Sequence, residues 1–159
     1  MNYQYRKNVG IVVCRDGLVL MCARADSIED HWQFPQGGID EKEDIVTAAK
    51  RELFEETGIK SVSLIAKYPE PLRYDFISGK KVFNGVSYRG QEQSWVLFKF
   101  DGNDSEINLK TNPEEIEFKK YEWTEINTAP QKIAEFKRDV YRKVVAFFAD
   151  FVKEKSNEQ

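Results

Sequence analysis

Three glutamates, Glu52, Glu55 and Glu56, crowd one turn of a segment whose apolar residues call for an α-helix. Across residues 44–57, Ile45, Ala49 and Leu53, with Val46 beside them, recur at a spacing of three or four, so one face must be buried. Gly58 follows as a helix stop, and the Pro35-Gln36-Gly37-Gly38 run ahead of the helix predicts a tight, exposed bend. On such a helix Glu52 and Glu56 stand one turn apart with Glu55 beside them, so the carboxylates gather on the side away from Leu53 and Ala49. Each exposed like-charge pair costs on the order of a few tenths of a kcal/mol. A solvated acidic face is the ordinary reading of such a pair. The preceding bend, Glu43 at the helix start and Gly58 at its end point instead to a cation held among the oxygens. Hard oxygen donors at this spacing suit Mg²⁺ or Mn²⁺, which keep waters and bind phosphate oxygens at the same time.

The remaining elements follow from periodicity and turn chemistry. A β-branched strand over 9–14, a turn at Asp16-Gly17 and a strand over 18–23 predict a hairpin. Strands are expected over 62–68, 94–100 and 121–124, and an irregular excursion with a short strand or two over 69–90. A last helix over 130–152 carries an apolar face of Ile133, Phe136, Val140, Val144, Phe147 and Phe151. Strands, a central helix, more strands and a final helix make an α+β chain with helices packed on a mixed sheet. At 159 residues one domain is expected, over 1–153, with a polar tail at 154–159. A net charge of −3 excludes a polycation that coats nucleic acid, so a polyanionic partner must be held by local basic groups or bound cations. Cys14 and Cys22 read as buried thiols of a reducing compartment. No apolar run approaches the ~20 residues of a membrane span, and MNYQYRKNVG is not a signal peptide; a cytoplasmic monomer is expected.

The string Gly37-x5-Glu43-x7-Arg51-Glu52-Leu53-x-Glu55-Glu56-x-Gly58-Ile59 resembles the Nudix box with every defined position filled. The resemblance implies the Nudix fold, an α/β/α sandwich with a mixed β-sheet, and hydrolysis of a nucleoside diphosphate linked to another moiety. It implies Glu52, Glu55 and Glu56, with Gly37, as the surroundings of about two or three Mg²⁺ or Mn²⁺ ions, and Arg51 as the salt-bridge partner that orients a carboxylate. The chemistry suits these residues. A pyrophosphate link needs charge neutralised, a water aligned in line and the leaving oxygens stabilised. The single histidine, His31, is either a loop residue or a substrate contact.

Beyond the box, residues 5–148 resemble bacterial RNA pyrophosphohydrolases and their relatives, the dinucleoside polyphosphate hydrolases. The matching pieces are Tyr5 to Gly10, Trp32 to Ile39, Arg73-Tyr74-Asp75, Gly90-Gln91-x-Gln93-x-Trp95 and Phe136 to Tyr141. The resemblance implies that Arg6 contacts the phosphates, that Glu117 adds a metal ligand or general base, that Phe136 stacks on the 5′ base, and that Lys137, Arg24 and Gln93 also contact substrate. Each has a plainer alternative: Arg6 as a strand-edge charge, Glu117 as part of a solvated loop, Phe136 as core. The chain departs from the pattern in three places. The loop 112–118 is longer, so Glu114, Glu115 and Glu117 compete for one role. Lys7 replaces a proline. Ala25 stands where relatives place an arginine that clamps the base, a cation–π contact of ~1–2 kcal/mol that Arg24 replaces only in part. The implied substrate is a 5′-triphosphate or diphosphate RNA end, trimmed to the monophosphate that exposes a transcript to decay. A dinucleoside polyphosphate such as diadenosine tetraphosphate is the alternative, and a non-catalytic nucleotide-binding domain the third. Nothing in the sequence identifies a protein activator.

Overall fold

The computed structural model describes residues 4–156, with side chains to residue 153; of the expected polar tail, 157–159 lie outside the described residues. In chain order the elements are β1 (Gln4–Arg15), β2 (Leu18–Arg24), β3 (Trp32–Gln33), β4 (Gln36–Gly38), α1 (Ile45–Thr57), β5 (Val62–Lys67), β6 (Leu72–Asp75), β7 (Lys81–Phe83), β8 (Val86–Phe100), β9 (Phe118–Thr124), α2 (Ala129–Lys132) and α3 (Arg138–Ser156). The strands form one mixed sheet in the order β3-β2-β1-β8-β5. β4 pairs with β1, β6 and β7 with β8, and β9 with β2. β1 and β8 run parallel from Gln4↔Tyr88 to Cys14↔Lys99, and they form the spine of the sheet.

β1 reads as a continuous apolar run because it is covered on both faces. Val9, Ile11 and Val13 pack with Ala48, Ala49 and Leu53 of α1. Val12 and Cys14 pack with Val140, Tyr141, Val144 and Phe148 of α3. This is the expected sandwich, with α1 on one side of the sheet and α3 on the other. Cys14 and Cys22 are both buried, and no disulfide joins them.

Local signals set the ends of α1. The Asp44 carboxylate accepts the Thr47 N–H at 2.7 Å, a cap worth ~1 kcal/mol. Gly58, at φ 78°, donates its N–H to the Phe54 carbonyl. Leu53, fully buried, contributes ~2 kcal/mol of burial and anchors the face opposite the glutamates.

Three expectations change. The strands anticipated at 9–14 and 94–100 are the C-terminal parts of much longer strands, β1 and β8. The excursion at 69–90 is built of β6, β7 and the start of β8, closed by an Asn84-Gly85 turn with φ of 49° and 81°. The single last helix is broken. α2 ends at Lys132, Ile133 takes extended backbone, a 3₁₀ turn spans Glu135–Lys137, and α3 then continues to Ser156. The break turns Phe136 and Lys137 away from the face that Val140 and Val144 bury. No helix among the described residues is long and apolar enough to cross a membrane.

Candidate active site

A cavity of about 710 Å³ opens over one end of the sheet, between α1, the 112–118 loop, the β6–β7 excursion and the α2–α3 break. Its floor is acidic. Glu52, Glu55 and Glu56 reach it from α1, and Glu115 and Glu117 from the loop opposite, whereas Glu114 does not line it. The backbone N–H of Ala25 donates to the Glu117 carbonyl at 2.9 Å, which pins the loop beside the cavity.

Arg51 organises this floor. Its Nε and Nη2 donate to the two Glu43 carboxylate oxygens at 2.8 and 2.9 Å, a bidentate pair. Nη2 also donates to the Gly38 carbonyl at 2.9 Å, and Nη1 to Glu52 Oε1 at 2.9 Å. Glu55 lies 3.5 Å from Nη1. Arg51 thus ties the Gly-Gly bend to α1 and points the Glu52 carboxylate. The guanidinium, with a backbone N–H from Asp40, holds Glu43 down to about 2, and Glu43 in turn holds Arg51 charged.

The carboxylates nearest the cavity behave oppositely. Burial raises Glu52 despite Arg51 beside it. Glu56 is 8% exposed, and its Oε2 has no hydrogen-bond partner. Burial first, then repulsion from Glu52 and Glu117, pushes its carboxyl well above the ordinary range. Burial and Glu115 raise Glu117. A buried, unpartnered carboxylate oxygen among like charges is costly unless a cation joins it. Gly37 adds a second mark of fit: a Cβ there would lie 2.0 Å from Glu52 Cδ, so the carboxylate lies against bare backbone. Among the described residues no three His, Cys, Asp or Glu side chains come together closely enough to hold a metal ion between them. An open set of oxygens of this kind suits a hard cation that completes its shell with water and substrate oxygens.

The other walls are cationic and aromatic. Arg6 from β1, Arg24 from β2, Lys81 from the excursion and Lys137 from the helix break all line the cavity. The side chain of Arg24 is engaged by Asp26, through pairs at 2.6 and 3.0 Å, and by Gln33. Lys137 has no carboxylate within ion-pair distance among the described residues. Its ammonium sits 5.3 Å from the Tyr74 ring centroid and 5.6 Å from that of Phe136. Phe136, 36% exposed, packs edge-on to Tyr74 and lines the cavity, so it is not a core residue.

Burial, and then the charges of Arg24 and Lys81, bring Lys137 down to about 8. The unfolded chain keeps that proton to about 10.5. Between these values the unfolded state holds more protons, so the lysine costs stability below pH 8 and the cost fades as pH rises toward 10.5. Lys137→Met should therefore raise the unfolding free energy at pH 7 by about 2–3 kcal/mol and change it little near pH 10.5. Chemical denaturation at the two pH values measures this; an equal effect at both would contradict it.

Gln93 corrects an expectation. It does not line the cavity, because its Nε2 donates to Asn8 Oδ1 at 2.9 Å and Gln36 Oε1 at 2.7 Å, and these residues cover it. Gln91, one pleat earlier, is the strand glutamine that reaches the cavity. His31 stands at the rim, more than half exposed, 3.9 Å from Glu29. Tyr74, Phe76, Lys81 and Phe83 were not anticipated as lining residues. The Asn84-Gly85 pair between β-formers signals a hairpin there, and alternation continued back from 94 would have placed Gln91 on the Gln93 face.

The sequence model of the NUDIX domain matches residues 4–144. The chain is 44% identical to an RNA pyrophosphohydrolase of Rhizobium meliloti over 94% of its own length and 96% of that protein. It is 41% identical to the chloroplastic Nudix hydrolase 26 of Arabidopsis thaliana, covering 91% of this chain and 69% of that one. Among solved structures, a C. elegans Ap4A hydrolase in a binary complex superposes with a TM-score of 0.62 at 25% identity, covering 92% of this chain and 99% of that one.

Proposed function

The chain belongs to the Nudix hydrolase family, and from that premise we propose that it removes pyrophosphate or phosphate from the 5′-triphosphate or diphosphate end of RNA, leaving a 5′-monophosphate. One observation carries this reading: a floor of partly unpartnered carboxylates faces uncancelled cations and an aromatic wall across a single cavity. Cation, phosphate chain and base each find a matching surface there. The identity to RNA pyrophosphohydrolases over nearly the whole chain supports the same choice.

Glu52, Glu55, Glu56 and Glu117 are the residues we assign to hold divalent cations, Mg²⁺ or Mn²⁺. When bound, these ions supply Lewis-acid polarisation of the phosphoryl oxygens and compensate the charge of the leaving group. Arg51 keeps Glu52 aimed at the cavity. Arg6 and Lys137 bind phosphate oxygens, and their charge favours the more highly charged transition state. Phe136, partly exposed and backed by the buried Tyr74, offers a face for the terminal base. The oxygen of water bonds to the attacked phosphorus, the bridging P–O bond breaks, and the freed phosphate or pyrophosphate takes up the electron pair. Glu117 serves as a further cation ligand or as the base that takes the proton of the water.

The alternative substrate is a dinucleoside polyphosphate, favoured by the likeness to the Ap4A hydrolase structure. It asks the same carboxylates and cations to act on an internal phosphate. Relative kcat/KM on 5′-triphosphorylated RNA and on diadenosine tetraphosphate separates the two. The RNA reading predicts the larger value on RNA, and a clear preference for the dinucleotide would replace it.

A further inference from the structure

Arg6 is the cavity cation whose surroundings are the most specific. In the β1–β8 pairing it lies opposite Gln91, and in the β6–β8 pairing Gln91 lies opposite Tyr74. Arg6, Gln91 and Tyr74 therefore form a row across three strands on the cavity side. Arg6 Nη1 donates to Gln91 Oε1 at 3.1 Å, and Gln91 Nε2 donates to the Tyr74 hydroxyl at 2.6 Å. Both ends of the amide are used, and flipping it would set its N–H against the guanidinium and lose the bond to Arg6.

Two other groups complete the seat. The ring of Phe83, at the tip of the β7–β8 hairpin, lies 4.3 Å from the guanidinium carbon of Arg6. Gly38 leaves space on another side: a Cβ there would come within 2.4 Å of Arg6 Nη2. Among the described residues no carboxylate stands within ion-pair distance of Arg6. Arg24, in the same cavity, and Arg51, which orients Glu52 of its floor, are paired with acids. An arginine held by a neutral amide and an aromatic face is ordered without losing its charge.

Resting on the pyrophosphohydrolase reading above, we propose that Phe83 and Gln91 are positioning residues that hold the Arg6 guanidinium rigid yet un-neutralised, so that its full charge meets substrate phosphate. Phe83 acts from the hairpin and Gln91 from the sheet, and neither needs to touch substrate. Gln91 also couples the phosphate-directed arginine to Tyr74, which packs against Phe136.

A double-mutant cycle tests this on the full chain with Mg²⁺ and 5′-triphosphorylated RNA. Phe83→Ala should raise KM by about threefold to tenfold with kcat within about twofold, and Phe83→Tyr should restore KM. In an Arg6→Ala background, Phe83→Ala should add nothing. Gln91→Glu keeps an acceptor in place but cancels the charge of Arg6, so KM should rise by about tenfold or more without a lower melting temperature. If the Phe83 and Arg6 effects multiply, or Gln91→Glu leaves KM unchanged, the proposal is overturned. The substrate reading fails separately, through the wild type. If the wild type turns over diadenosine tetraphosphate but not RNA, the same cycle is run on the dinucleotide. If it turns over neither, calorimetric binding of inorganic tripolyphosphate reads the cycle, with the same non-additivity expected and additivity again overturning the proposal.

Discussion

Glu56→Gln should yield a folded, more heat-resistant protein that hydrolyses its substrate about 10³-fold more slowly. Both effects come from one observation. The Glu56 carboxyl is buried, one of its oxygens lacks a partner, and burial followed by Glu52 and Glu117 raises its proton affinity. The folded chain holds this proton to higher pH than the unfolded chain, whose value is near 4.5. Without cation, the ionised group therefore costs stability that grows as pH climbs above that value, until the folded group has itself ionised. Glutamine keeps the shape and removes the charge, so it removes the cost and the cation ligand together. Adding Mg²⁺ should raise the melting temperature of the wild type and move that of Glu56→Gln much less. Calorimetry with and without Mg²⁺, beside turnover, measures both halves. A variant that kept wild-type turnover would remove Glu56 from the site. One with no turnover in either form, and unchanged nucleotide affinity, would favour a binding module.

Gly37→Ala carries the second largest effect. A Cβ at 37 would sit 2.0 Å from Glu52 Cδ and 2.2 Å from Oε2. The carboxylate is the end of a flexible chain, so the fold can yield by swinging it aside rather than by opening the sheet. It is also held by Arg51 Nη1 at 2.9 Å, and swinging aside gives up that bond. A displacement of an ångström or more at a ligand-bearing group costs about 10²-fold in rate. The expected outcome is therefore a folded protein, with a melting temperature close to wild type, and kcat lowered about 10²-fold. Full activity would mean that the Glu52 position against Gly37 does not matter to the chemistry.

Much of this site is legible in the sequence. Glu52, Glu55 and Glu56 had to share a helix side because Leu53 and Ala49 had to be buried, whereas the role of Arg51 came from the resemblance to the Nudix box. The C-terminal end of the helix was readable from Gly58, whose left-handed backbone acts locally, whereas Asp44 was counted inside the helix that it caps. Contacts between distant strands were harder to read. Gln91 and Gln93 are both polar residues on one strand face, and only the cover from Asn8 and Gln36 separates them. The helix break at Ile133 was hidden because Ile133, Phe136 and Val140 keep helical spacing while the backbone between them does not. The choice among Glu114, Glu115 and Glu117 depended on how a long loop folds back, which no local rule decides. Phe83 reached Arg6 only because the Asn84-Gly85 turn brings β7 beside β8.

The most direct test of the central claim is a single-turnover reaction of 5′-triphosphorylated RNA with the wild type and Mg²⁺, beside Glu56→Gln and beside wild type with chelator. The account predicts a 5′-monophosphate RNA product with pyrophosphate or phosphate release from the wild type alone. It would be contradicted by intact triphosphate ends in every reaction, or by equal conversion in all three.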